Sequence, residues 1–308
     1  MASLSLQQIL SGHQGAVYAM VTSGEPGVFY TAGGDRIVAR WDLQGSSPQE
    51  GVMVARAAEV VYSLCLLSEQ GLLLVGQAEG GVHAIDLDSR KEVRLLQNHS
   101  APVFSLVSIP EHGLLASVSG DGTIAWLTRD LEVRSRVRLT DKKMRCLVVH
   151  PSGDFALAGC GDGSIVQLSL PEGKIENRFQ AHQIDFSVNA IAFSPDGAFF
   201  MTGSRDAMLN LYETRTLKLL ESIPAHNYAI YDIAFHPSGG SFATASRDKT
   251  IKFWNYERME VLARLEGSDG KSHVNSVNRL SWLDDRTLLS AGDDRSIRVW
   301  SLDSDQSA

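Results

Sequence analysis

One phrase recurs seven times in this chain and limits its fold more than any other feature. It reads "TAGGDRIVARWD" (31–42), "VGQAEGGVHAID" (75–86), "SVSGDGTIAWLT" (117–128), "AGCGDGSIVQLS" (158–169), "TGSRDAMLNLYE" (202–213), "TASRDKTIKFWN" (244–255) and "SAGDDRSIRVWS" (290–301). An acid follows small residues, an apolar residue stands three positions on, and an aromatic or apolar slot stands six positions on. The acid falls at Asp35, Glu79, Asp121, Asp162, Asp206, Asp248 and Asp294, at spacings of 44, 42, 41, 44, 42 and 46 residues. A period of this size fits one four-stranded unit with its turns.

Within each unit, short runs rich in Val, Ile, Leu, Phe and Thr are broken by turn clusters such as "HPSGD" (150–154), "SPDGA" (194–198) and "HPSGG" (236–240). These are strand signals. No long segment has helical periodicity, so an α/β reading fails. Repetition also bears on function, because a repeated motif is scaffold before it is chemistry. That weighs against a Ser/His/Asp hydrolytic site, although the residue types are those of such a triad.

With seven registered copies, the chain resembles the WD-repeat (Trp-Asp repeat) β-propeller family over nearly its whole length. The resemblance implies an all-β fold, a single seven-bladed β-propeller over residues 1–308 with four antiparallel strands per blade, the innermost lining a central channel. The segment "SLQQILSGH" (5–13) matches the fourth-strand phrases "EVRLLQNH" (92–99) and "KLLESIPAH" (218–226), while eight residues follow Trp300. The N-terminal strand is therefore expected to supply the last blade's fourth strand and close the ring, removing exposed edges. The last few residues are expected to form a disordered tail.

The resemblance also implies a buried tetrad in each blade: a His before the first strand, a Ser or Thr on the second, the turn Asp, and a Trp on the third. Three sets are complete, namely His13, Thr31, Asp35 and Trp41; His226, Thr244, Asp248 and Trp254; and His273, Ser290, Asp294 and Trp300. Blade five offers His182, Thr202 and Asp206 with Tyr212 in the Trp slot. Blade three offers His99, Ser117 and Asp121, with Leu127 in the slot and Trp126 one position off. Blade two (Ala57, Val75, Glu79, Ile85) has lost the set, and blade four keeps Asp162 beside Thr140, Ala158 and Leu168. His150 and His236 begin turns, and His83 and His112 lack metal-ligand spacing. The glycine-dense "GCGDGS" (159–164) sits at a blade turn with no helix after it to hold a phosphate. No cofactor and no metal are expected.

Function should then lie in what differs between repeats at the channel mouth. In this family the partner surface of the top face includes the residue after the first apolar position of the innermost strand. Here that position reads Tyr18, Tyr62, Phe104, Arg145, Asn189, Tyr231 and Asn278. Aromatic residues and arginine are enriched at binding hot spots; the alternative is that the rings plug the channel as ordinary core packing. A second position, before the turn acid, gives Arg205 and Arg247. They either pair with neighbouring acids or offer planar donors to a carboxylate or phosphate.

Two longer loops, 182–188 and 266–277, flank blade six on the same side. In "LEVRSRVRLTDKKMR" (131–145), Arg134, Arg136 and Arg138 alternate as on an outer strand, where charge discourages edge pairing. Lys142, Lys143 and Arg145 lie beyond it toward the top face.

Composition narrows the partner. The chain has 36 acidic against 28 basic residues, a formal charge of -8, which disfavours direct nucleic-acid binding. No basic residue precedes the apolar positions of "MASLSLQQIL", and stretches such as "LLLV" (72–75) are too short for a bilayer, so neither a secretory signal nor membrane insertion is expected. Cys65, Cys146 and Cys160 show no CxxC spacing and fit a reducing cytoplasm.

The expectation is a cytoplasmic, non-enzymatic scaffold, monomeric within a complex, that binds a protein or peptide partner at its top face. The expected contacts are Tyr18, Tyr62, Phe104, Arg145, Arg205, Tyr231 and Arg247. The alternatives are a structural subunit using its rim or bottom face and a propeller enzyme. For the enzyme, the mouth lacks a His, a Cys and clustered carboxylates beyond Asp293.

Overall fold

Each repeat forms one antiparallel sheet because its four short β-forming runs are joined by tight turns that pair each run with its chain neighbour. The computed structural model describes residues 3–267 and 270–303, over which 28 strands make seven four-stranded sheets. Six sheets follow chain order, as in β2 (Val17–Thr22), β3 (Val28–Gly33), β4 (Ile37–Asp42) and β5 (Val52–Arg56). Single-turn 3-10 segments lie at Ser68–Gln70 and Pro110–His112.

The seventh sheet is composite. β1 (Ser3–Ser11) pairs antiparallel with β28 (Ser296–Asp303), outside β27 (Thr287–Gly292) and β26 (Val277–Trp282). Leu10 secures the seam, fully buried beside Phe29 and Trp41 of the first blade and Leu289 and Ile297 of the last. The innermost strands β2, β6 (Val61–Leu67), β10 (Val103–Ile109), β14 (Met144–Val149), β18 (Val188–Phe193), β22 (Ile230–Phe235) and β26 touch in succession, and β26 touches β2. The ring is closed, as the sequence led us to expect. The expected disordered tail falls on residues 304–308, outside the described residues.

Burial falls from the middle of each blade to its rim. β3 and β11 (Leu114–Ser119) are buried at every position, because neighbouring blades cover both faces; such strands read as apolar runs without alternation. The outermost strand β13 (Val133–Arg138) is exposed throughout. Its arginines do more than charge an edge. Arg136 donates to the Asp121 carboxylate at 2.8 Å, Arg138 to the Asp121 carbonyl at 2.8 Å, and Arg134 to the Pro171 carbonyl of the next blade at 3.2 Å.

The turn acid is followed in all seven repeats by a residue in the left-handed region, from φ 65° at Arg36 to 89° at Gly80. A side chain there is strained. At Gly122 it is also blocked, since a Cβ would lie 2.0 Å from the Thr140 carbonyl oxygen.

Candidate partner-binding site

The repeated polar residues are taken up in hydrogen bonds. In blade one His13 reaches Asp35 and Thr31, each at 2.8 Å, and the Trp41 indole donates to Thr31 at 2.7 Å. Blade six repeats this with His226 to Asp248 at 3.0 Å and to Thr244 at 2.7 Å, and Trp254 to Thr244 at 2.9 Å. Blade seven has His273 to Asp294, His273 to Ser290 and Trp300 to Ser290, each at 2.9 Å.

Two expected tetrads differ from that pattern. In blade five His182 binds Asp206 at 3.0 Å and Thr202 at 2.8 Å, but Tyr212 is not the fourth member. A phenol carries its donor at the ring tip rather than beside the ring, and the Tyr212 hydroxyl donates to the Ala181 carbonyl at 3.1 Å. In blade three His99 bonds Ser117 at 2.8 Å and the Thr123 hydroxyl at 2.9 Å, while Asp121 stands 3.6 Å from the ring. Leu127 has no donor, and Asn98 replaces the indole by donating to Ser117 at 3.2 Å. Trp126 packs instead with Met144 and Leu147 of blade four.

Electrostatics follow from these contacts. Burial pushes the His99, His226 and His273 rings below their ordinary value, which favours neutral imidazole. At Asp121 burial opposes ionisation, but hydrogen bonds from the Thr123 hydroxyl and the Ser100 N–H outweigh it and hold the carboxyl down to about 2. At Asp248 and Asp294 burial again opposes ionisation, and the hydrogen bonds from His226 and His273 lead the contributions that hold each carboxyl below its ordinary value.

The remaining histidines bind backbone or Glu92. His112, His150 and His236 reach the Gly153, Gly197 and Asp285 carbonyls of the next blade, and His83 lies 2.8 Å from Glu92. Burial pushes the Cys65 and Cys146 thiols up to about 12 and Cys160 up to about 11, against thiolate chemistry. Among the described residues no group of three or more His, Cys, Asp or Glu is placed to hold a metal ion.

The residues that differ between blades converge. On β2, Val17 pairs with Gly33 and Ala19 with Ala32, which leaves Tyr18 out of register. The same shift passes over Tyr62, Phe104, Arg145, Asn189, Tyr231 and Asn278 on the other six innermost strands. A bulge re-aims the side chain of its extra residue, and all seven line one cavity of about 300 Å³ together with Arg279 and Asp293.

Tyr18 stacks on Tyr62 at 5.3 Å between ring centres, Tyr62 meets the Phe104 ring edge-on at 5.2 Å, and the Arg145 guanidinium lies 4.4 Å over Phe104. Four consecutive blades thus share one wall. The rings pack on each other and border the cavity at the mouth. Burial first, and Asp293 second, push the Tyr18 phenol up. Asn278 is tied to Asp293 at 2.8 Å, and Arg279 holds the Tyr18 carbonyl at 2.8 Å.

Arg205 and Arg247 line an adjoining depression with Lys142 and Lys143. They do not pair with the turn acids, since Asp206 and Asp248 face His182 and His226. Of the two loops expected to flank them, 182–188 borders the depression through Asp185 and Ser187; the other includes residues 268 and 269, outside the described residues. Sequence reading missed Arg279, and it missed the hydroxyl two residues after the acid. That hydroxyl is visible in the repeats as Thr123, Ser164, Thr250 and Ser296.

Blade topology, ring closure and histidine-centred tetrads together define a WD-repeat propeller. The WD domain, G-beta repeat family matches residues 4–42, 90–125, 137–167, 173–213, 217–255 and 261–301, most of the chain, and the chain belongs to that family. The unmatched stretch after residue 42 includes most of the blade that has lost its tetrad.

The chain is similar to pre-mRNA-processing factor 19 of Bos taurus, 26% identical over 161 residues, which is 52% of this chain and 32% of that protein. It therefore spans about a third of that relative's length. It is also similar to eukaryotic translation initiation factor 3 subunit I of Emericella nidulans, 24% identical over 231 residues, 70% of this chain and 68% of that one. The solved WD40 beta propeller domain of Doa1 shares the fold, with a TM-score of 0.84 at 20% identity over 99% of each chain.

Proposed function

We propose that this propeller is a non-enzymatic scaffold that binds a protein or peptide partner at the top-face mouth of its channel. The observation that carries this reading is the bulge present on all seven innermost strands. It gathers the residues that differ between blades into one open cavity, whereas the residues that recur serve the scaffold. Three rings backed by a guanidinium suit an inserted apolar or aromatic anchor from an extended segment. One relative is named as a subunit of a translation factor, which agrees with work inside an assembly. The rival surface is the rim, where Met53, Val93 and Leu95 are exposed.

Affinity capture from the source cell, with the wild type and with Tyr62→Ala/Phe104→Ala, tests the reading. The double variant is expected to lose the proteins that the wild type captures while the melting temperature shows that it still folds. Undiminished capture by the folded variant overturns it.

A further inference from the structure

The channel mouth continues into a second depression of about 510 Å³, with which it shares Arg145, Asn189 and Tyr231. Five cations line this trough, Lys142, Lys143, Arg145, Arg205 and Arg247, against one carboxylate, Asp185. That excess of positive charge stands in a chain whose formal charge is -8. Asp185 is already engaged by Lys142 at 3.1 Å. Among the described residues no carboxylate pairs with Lys143, Arg205 or Arg247. The Arg145 Nε is buried without a hydrogen-bond partner, and its guanidinium is held against Phe104 at the junction of the two depressions.

Resting on the top-face reading above, we infer that the mouth takes an extended acidic segment of a partner protein, with its Asp and Glu carboxylates in this trough and an apolar side chain against the aromatic wall. The cations come from separate loops and strands of blades four, five and six. They are therefore spread along the trough instead of converging on one point. Single charges distributed along a strand match that layout better than one compact dianion. Planar guanidinium forks bind carboxylates in bidentate fashion, and a cleft lined by one sign of charge concentrates the opposite sign. Two exposed apolar residues are chain neighbours of residues that line the trough, Ile184 (73% exposed) before Asp185 and Tyr228 (60% exposed) before Ala229, and Arg247 lies 5.9 Å over the Tyr228 ring. They offer contact to the apolar residues of the same segment.

The probe is a fluorescein-labelled oligoglutamate followed by anisotropy, compared with an oligoglutamine of equal length and a phosphoserine peptide. The wild type is expected to prefer oligoglutamate to oligoglutamine by at least about tenfold, with affinity falling as salt rises. Arg205→Ala/Arg247→Ala, at two exposed positions, is expected to remove that preference with an unchanged melting temperature. Equal binding of the two peptides, or a preference that survives the double variant, overturns the inference. So does binding of the phosphoserine peptide alone, which assigns the trough to phosphate. If oligoglutamate fails while capture still depends on Tyr62 and Phe104, the acidic segment is wrong and the top-face scaffold stands.

Discussion

The Thr250 hydroxyl donates to the Asp248 carboxylate across 2.6 Å, and contacts of 2.6 to 2.7 Å join Thr123 to Asp121, Ser164 to Asp162 and Ser296 to Asp294. Asp248 also receives the Asn227 and Thr250 N–H groups and the His226 ring. One carboxylate thus ties the turn between the second and third strands to the loop before the first. Glu79, at the same repeat position, is exposed.

Asp248→Ala strands several of these donors, each lost partner costing about 1–3 kcal/mol. It is expected to destabilise the fold by at least about 3 kcal/mol in urea unfolding, whereas Glu79→Ala should stay within about 0.5 kcal/mol. Equal effects at the two positions would contradict the structural role of the turn acid.

Stability should depend on pH in two stages. The lowered histidines favour the neutral ring in the fold, so their contribution is complete above the unfolded histidine value of about 6.5 and is lost as pH falls from there toward their folded values. The lowered carboxylates contribute above about 3.9 and lose that contribution as pH falls through their folded values, about 2 at Asp121. The melting temperature is therefore expected to decline below about pH 6.5 and again below about pH 4. A rise between pH 7 and pH 5 would be inconsistent with neutral buried histidines.

Ring closure is tested at the seam. Leu10 is fully buried between the first and last blades, while Ile9 beside it is 41% exposed. Leu10→Ala is expected to cost about 2–5 kcal/mol and Ile9→Ala less than about 1 kcal/mol by denaturant unfolding. A small effect at Leu10 would mean that the N-terminal strand does not hold the ring.

The turn after the acid supplies a backbone test. Gly122→Ala brings a Cβ against the Thr140 carbonyl at φ 79°, and is expected to cost more than about 2 kcal/mol. Ala207→Gly, at φ 68°, should change stability by less than about 1 kcal/mol. Thermal melts of both variants decide it.

The fold was legible because its period was written seven times over, and even the blade without a tetrad kept its strand runs. The mouth was legible for a related reason: the extra residue of each bulge holds one fixed repeat position, so a column of the repeat alignment names the residues of a single cavity. What stayed hidden depends on where side chains end in space. Asn98 replaces an indole from the loop before its blade, outside the Trp slot, and Tyr212 fills the slot while bonding elsewhere. Arg136 appeared as an edge charge and instead braces Asp121. Whether Arg205 and Arg247 were paired turned on histidines that already held the neighbouring acids.

The most direct test separates the mouth from the rim by placing a photo-crosslinker at each. Tyr62→p-benzoylphenylalanine sets it on the aromatic wall, and Leu95→p-benzoylphenylalanine sets it on an outer strand where the native side chain is 49% exposed. After irradiation in the source cell, a protein partner joined through position 62 and absent from position 95 is the predicted result. Crosslinks confined to position 95 would contradict a partner site at the channel mouth.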